Sequence, residues 1–94
     1  MADDGFGGFL DIREVPEGRL RRAVGSIWEG HLHGFGVEVL QDSGRWTATI
    51  YDRPPKCKQI IRILAASLRD AGRRASRWIE QNAPPDGRPF NPRR

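Results

Sequence analysis

Three groups of residues in this 94-residue chain carry side chains able to do chemistry. The first is the alternating series Arg45, Thr47, Thr49 and Tyr51, followed by Arg62. At a period of two these side chains share one face of a strand. Thr and Tyr hydroxyls bind phosphates, Arg reaches phosphates or guanine edges, and a Tyr ring can stack on an unpaired base. The same residue types also suit an exposed, solvated pleat. The second group is Arg69, Arg73 and Arg77, with Arg74 beside them. Spaced at i, i+4 and i+8, they lie along one line of a helix and could track phosphates. A solvated helix face accounts for them too, with Asp70 pairing Arg73 or Arg74 and Arg77 pairing Glu80 at helical spacing.

The third group is Glu29-x-His31-x-His33, which places three metal-ligating side chains on one side of an extended chain. A closed site needs a further ligand, and Cys57 or Asp52 would have to approach. His31 and His33 share parity with Phe35, Val37 and Val39, so a place at the border of the core is the better reading, and no metal site is assigned. Cys57 with His31 or His33 is a formal nucleophile and base without any local signature. The chain carries no G-x-S-x-G elbow, no P-loop and no G-x-G-x-x-G; Gly5-Phe6-Gly7-Gly8 does not open a helix. The expectation is a non-enzymatic protein with no cofactor and no small-molecule substrate.

Charge narrows the partners. Sixteen Lys and Arg against twelve Asp and Glu give +4, and the isoelectric point is near 10.2. Residues 1–30 and 31–52 each carry −2, and residues 53–94 carry eleven cations against three acids, +8. Concentrated positive charge favours an anionic partner more than the same charge spread evenly. The single cysteine, Cys57, cannot form an internal disulfide and reads as a free thiol in a reducing compartment. The start of the chain has no basic and apolar leader, and Arg62 interrupts the best apolar run, which falls far short of the ~20 residues of a membrane span. A soluble, cytoplasmic protein with no membrane contact is expected.

These groups must be positioned by the following elements. Residues 1–8, rich in Asp and Gly, read as a flexible tail, and 83–94, with four prolines, as a Pro/Arg-rich disordered tail. A single domain over 9–82 remains. Phe9 to Val15 suits a strand before the turn formers Pro16-Glu17-Gly18. Leu20, Val24 and Ile27 fit either a short helix or a second strand running from Leu20 to Trp28. Strand is preferred, because Gly25, Ser26 and Ile27 lead directly into β-like sequence. Phe35, Val37 and Val39 alternate with smaller or polar residues, as do Trp46, Ala48 and Ile50, and Gln41-Asp42-Ser43-Gly44 supplies the turn between them. Pro54-Pro55 ends the second strand of this hairpin.

Residues 56–66 can be read as strand or as part of a long helix. Ser67-Leu68-Arg69-Asp70 resembles a capping box and so marks a helix start, which makes Gln59 to Leu64 a third strand. From that cap Leu68, Ala71, Ala75, Trp78, Ile79 and Asn82 form one stripe, with Gly72 beside it allowing close approach to a sheet. Pro84 prevents continuation beyond Asn82. The fold class is α+β, two layers, with an antiparallel meander of three or more strands packed on one C-terminal helix.

Gly44-Arg45-Trp46-Thr47-Ala48, the strand near 59–64, Ser67, Asp70-Ala71 and Trp78-Ile79 together are similar to the strand-and-helix pattern of the AP2-like N-terminal DNA-binding domains of phage integrases. The resemblance covers about half the chain. It implies three strands plus a helix, and DNA contact through the open face of the sheet rather than through the helix.

The expected function is therefore nucleic-acid binding, to DNA or RNA, through a basic sheet face (Arg45, Thr47, Thr49, Tyr51, Arg62) or a basic helix face (Arg69, Arg73, Arg77). The alternative is a homodimeric or adaptor module. Three Trp are more than one helix need cover, a small sheet leaves open edges, and Trp28 is the residue expected at such an interface.

Overall fold

The computed structural model describes residues 15–90. The expected tail 1–8 and the expected strand from Phe9 lie outside these residues, apart from Val15. Five strands, β1 (Leu20–Val24), β2 (Ile27–Leu32), β3 (Phe35–Asp42), β4 (Arg45–Tyr51) and β5 (Gln59–Ala65), precede one helix, α1 (Leu68–Asn82). Each strand pairs antiparallel with the next, giving the order β1-β2-β3-β4-β5. The helix lies across β3, β4 and β5. The molecule is the two-layer α+β meander that its sequence pattern implies, with two more strands than the minimum of three.

The hairpin over 35–51 follows its alternation. Ser43 and Gly44 both take positive φ, 54° and 80°, as a two-residue type I′ turn requires, so β3 and β4 run up to Asp42 and from Arg45. The expected four-residue turn is thus two residues long. A second turn of this kind, at His33 (φ 53°) and Gly34 (φ 87°), separates β2 from β3. It reverses the reading of the histidines. Because Leu32 pairs with Phe35 and His31 with Gly36, His31 projects from the face opposite Phe35, Val37 and Val39. The shared parity expected from sequence would hold only for a continuous strand. Likewise the single strand expected from Leu20 to Trp28 is two strands, folded at Gly25-Ser26, with Val24 opposite Ile27.

The helix begins where its cap predicts. The Ser67 hydroxyl accepts from the Asp70 amide at 3.0 Å, and the Asp70 carboxylate reaches back to the Ala66 amide at 3.0 Å. Ala71, Ala75 and Ile79 are buried against Phe35, Val37, Val39, Ala48 and Ile50. Burial of each large aliphatic or aromatic side chain contributes roughly 1.5–3 kcal/mol. Gly72 faces Leu20, whose Cδ1 would sit 3.2 Å from any Cβ placed there, so a small residue lets the helix meet β1 closely. Asn82, expected on the apolar stripe, is instead exposed, and its side-chain amide donates to the Trp78 carbonyl at 2.8 Å.

Residues 83–90 contain no helix or strand, and their contacts come from the loop after β4. Arg53, 8% exposed, donates through Nε to the His33 carbonyl at 2.6 Å. Through Nη1 it donates to the Pro84 carbonyl at 2.8 Å and to the Arg88 carbonyl at 3.0 Å. Its guanidinium stands 4.9 Å from the Phe35 ring centroid. Asp52, also buried, accepts from the Phe90 amide at 2.9 Å, and the Phe90 ring packs on Trp78 at 5.3 Å. Prolines have no amide hydrogens to place, so a proline-rich stretch is held through its carbonyls, and a buried arginine supplies donors for them. Of the segment read as a disordered tail, residues 83–90 make these contacts and residues 91–94 lie outside the described part.

Replacing Arg53 by Met keeps the bulk over Phe35 but leaves three carbonyls without their donor. Arg53→Met is expected to lower unfolding stability by about 3 kcal/mol, read by urea denaturation of the full chain. Arg53→Lys should recover less than half of that, because one ammonium lacks the planar fork. A loss under about 1 kcal/mol would show that these bonds are dispensable.

Candidate nucleic-acid interface

The two basic groups lie on opposite surfaces. In antiparallel pairing, directly opposed residues share a face, so the register gives the composition of the open face row by row. One row reads Arg21, Glu29, Glu38, Thr49, Arg62 across all five strands. The row toward the His33-Gly34 turn holds His31, Gly36 and Tyr51. The row on the other side holds Val24, Ile27, Leu40, Thr47 and Leu64, and Arg45 lies beyond it opposite Asp42. All five residues expected on a strand face, Arg45, Thr47, Thr49, Tyr51 and Arg62, therefore do share one surface, the one opposite the helix.

That surface is not uniformly basic. The middle row carries two carboxylates between Arg21 and Arg62. Glu29 bonds Arg21 at 3.1 Å, and Glu38 accepts from the Tyr51 hydroxyl at 3.3 Å. Burial, and secondly the nearby Glu38 charge, raise the Tyr51 pKa above its ordinary value, so the phenol stays a neutral donor. Glu38 was legible as a member of this face, since it alternates with Val37 and Val39. Glu29 and Arg21 were not, because their face depends on where the turns fall.

The outer face of α1 differs. Arg69, Arg73 and Arg77 are all exposed. Asp70 pairs with Arg73 at 2.7 Å and with Arg74 at 2.8 Å, as the helical spacing predicts. Arg77 and Glu80 form no ion pair among the described residues, and Glu80 lies 4.0 Å from His33. Arg69 and Arg77 have no carboxylate partner among the described residues, which leaves both guanidinium groups available to an external anion. Lys56 and Lys58 are exposed in the loop before β5.

The Glu29, His31 and His33 set is dispersed. His31 Nε2 donates to the Val15 carbonyl at 2.6 Å, and His33 sits in a turn with its ring 3.6 Å from Glu17. Among the described residues no three His, Cys, Asp or Glu side chains form a metal-holding group. Cys57 is exposed, and neither histidine is hydrogen-bonded to it among the described residues. Among the described residues no helix is long and apolar enough to cross a membrane.

Asp70 links the cap to the arginines. The Ala66 amide, then Arg74 and Arg73, hold its carboxyl well below the usual carboxylate range. A depressed folded-state pKa contributes stability above the unfolded value near 4 that is lost as pH falls toward the folded value. Asp70→Asn is therefore expected to flatten the decline in melting temperature between about pH 5 and pH 2. Thermal melts across that range check this, and parallel curves for the two proteins would refute it.

Comparison with protein-family models, curated proteins and solved structures finds no match, so the functional reading rests on this geometry.

Proposed function

We propose that the protein is a small nucleic-acid-binding domain that contacts the phosphate backbone of DNA or RNA through the outer face of α1. The observation that carries this reading is the exposed line Arg69, Arg73, Arg77, in which Arg69 and Arg77 have no carboxylate partner among the described residues. At 1.5 Å per residue the line spans ~12 Å, about three to four steps of a strand at ~3.4 Å. Phosphates binding there displace no ion pair of Arg69 or Arg77 among the described residues. On the sheet face, by contrast, Glu29 offsets the charge of Arg21, and Glu38 stands in the same row as Thr49 and Arg62 and disfavours a phosphate there. Contacts of this kind position a backbone and carry no sequence information.

Fluorescence anisotropy with duplex DNA, duplex RNA and single strands over a salt series tests the reading. Replacing Arg69, Arg73 and Arg77 together by Gln is expected to weaken binding at least tenfold and to reduce the log–log salt slope by about 2–3. Arg45→Gln with Tyr51→Phe should leave affinity within about twofold, below the effect of one lost phosphate contact. Salt-independent binding, or a larger loss from the sheet variant, would refute the helix as the interface.

One observation favours a second reading, a homodimeric or adaptor module. Val24, Leu40 and Leu64 are 64%, 43% and 69% exposed and lie in one cross-strand row with Ile27 and Thr47. An apolar row of this kind is suited to a partner sheet or helix. Sedimentation should then show self-association at high concentration that Leu40→Glu with Leu64→Glu abolishes; a monomer at every concentration would refute the dimer.

A further inference from the structure

The segment after α1 is held as a bound peptide is held. It contains neither helix nor strand, and main-chain bonds and one ring fix it. Arg53 Nη1 donates to the Pro84 and Arg88 carbonyls, and the Asp52 carboxylate accepts from the Phe90 amide. The Phe90 ring lies 5.3 Å from Trp78. Pro84 and Phe90 are half-buried and the positions between them are exposed, with Arg88 pairing Asp86 inside the segment at 3.1 Å.

The groups that receive this segment are held by bonds that do not involve it. Arg53 is anchored through Nε to the His33 carbonyl and lies over the Phe35 ring. Asp52 donates its amide to the Lys58 carbonyl at 2.8 Å, and its carboxylate also accepts from the Arg53 amide at 2.7 Å. Trp78 meets the Phe35 ring edge-on at 6.4 Å. The helix closes at the Ala83 amide, which donates to the Ile79 carbonyl at 2.7 Å, so the chain from Pro84 onward can leave without unwinding α1. Its departure would strip a buried guanidinium of two acceptors and a buried carboxylate of a donor. Unmade bonds of buried groups are costly, which favours exchange for another chain over an empty groove.

We propose that the groove formed by Asp52, Arg53 and Trp78 is a peptide-binding site for a partner protein's extended segment, with a proline at one end and an aromatic residue six positions on, as Phe90 follows Pro84. Residues 84–90 occupy it in the free protein. Proline suits the first position because its carbonyl accepts while it brings no amide donor toward the guanidinium, and its fixed φ lowers the entropy of ordering. The bonds reach the main chain, so the positions between the two ends are read weakly. A tethered segment acts at an effective concentration on the order of millimolar, and a partner must outcompete it. The site is separate from the outer face of α1 and stands whether or not that face binds nucleic acid.

A capped octapeptide, Ala-Pro-Pro-Asp-Gly-Arg-Pro-Phe, titrated into the isotope-labelled full-length chain tests the site. In Phe90→Ser, saturable shifts of the Trp78 indole and Arg53 Nε resonances are expected, with a Kd at least about tenfold below that of the parent chain, whose own Phe90 competes. Serine in place of the peptide's Asp and Arg should change that Kd by less than about threefold, and serine in place of its Phe should raise it at least about tenfold. No saturable shift, equal Kd values for variant and parent, or indifference to the terminal ring would overturn the proposal. Should Phe90→Ser fail to fold, excess peptide on the parent chain decides it. Intermolecular Overhauser contacts from the peptide's Phe to Trp78 are then expected, and their absence would refute the site.

Discussion

The burial of the Arg53 guanidinium is the constraint on which the rest of the arrangement depends. A charged group at 8% exposure is costly unless its donors are satisfied, and no carboxylate bonds its side chain among the described residues. Three carbonyls bond it instead: His33 in the turn between β2 and β3, and Pro84 and Arg88 beyond the helix. One side chain thereby fastens the first half of the sheet to the stretch that follows α1. The aliphatic part of Arg53 lies 3.1 Å from where a Cβ would stand at Gly34, which together with the positive φ there makes glycine the suitable residue. Phe35 is held between this guanidinium and Trp78, whose ring centroid is 6.4 Å away.

With the helix fixed over β3 to β5, the two surfaces separate by chemistry. The outer helix face presents arginines anchored at one point by Asp70, which serves the cap and two guanidinium groups at once. The sheet face alternates a row of compensated charge with an apolar row. On the sheet, Glu29 and Glu38 stand in the same row as Arg21 and Arg62 and offset their field, whereas Arg69 and Arg77 on the helix have no carboxylate partner among the described residues. Total charge is thus a poor guide here, and the placement of single carboxylates sets the local field.

Local signals served well where the deciding contacts are local. Ser67 and Asp70 are three residues apart and cap the helix as their types imply. The alternations over 35–39 and 46–50 carry through to buried Phe35, Val37, Val39, Ala48 and Ile50. The side of Arg45, Thr47, Thr49 and Tyr51 followed from the same period. The integrase-like pattern rested on these same cap and core positions, which any strand-and-helix layer of this size needs for packing. It pointed to the sheet as the nucleic-acid surface, and it contained neither Glu29 nor Glu38.

Residue types and spacings alone were enough to establish an α+β meander, its closing helix and the concentration of cations after residue 52. Tertiary structure decided what those spacings could not encode. The two-residue turns at Gly25-Ser26 and His33-Gly34 shift every following side chain between faces, and this moved His31 away from the core side and Glu29 onto the open sheet. Arg53 beside two prolines reads as a loop residue, yet its partners lie 20, 31 and 35 positions away. Such bonds depend on where distant carbonyls come to rest, and that is known only once the chain has folded.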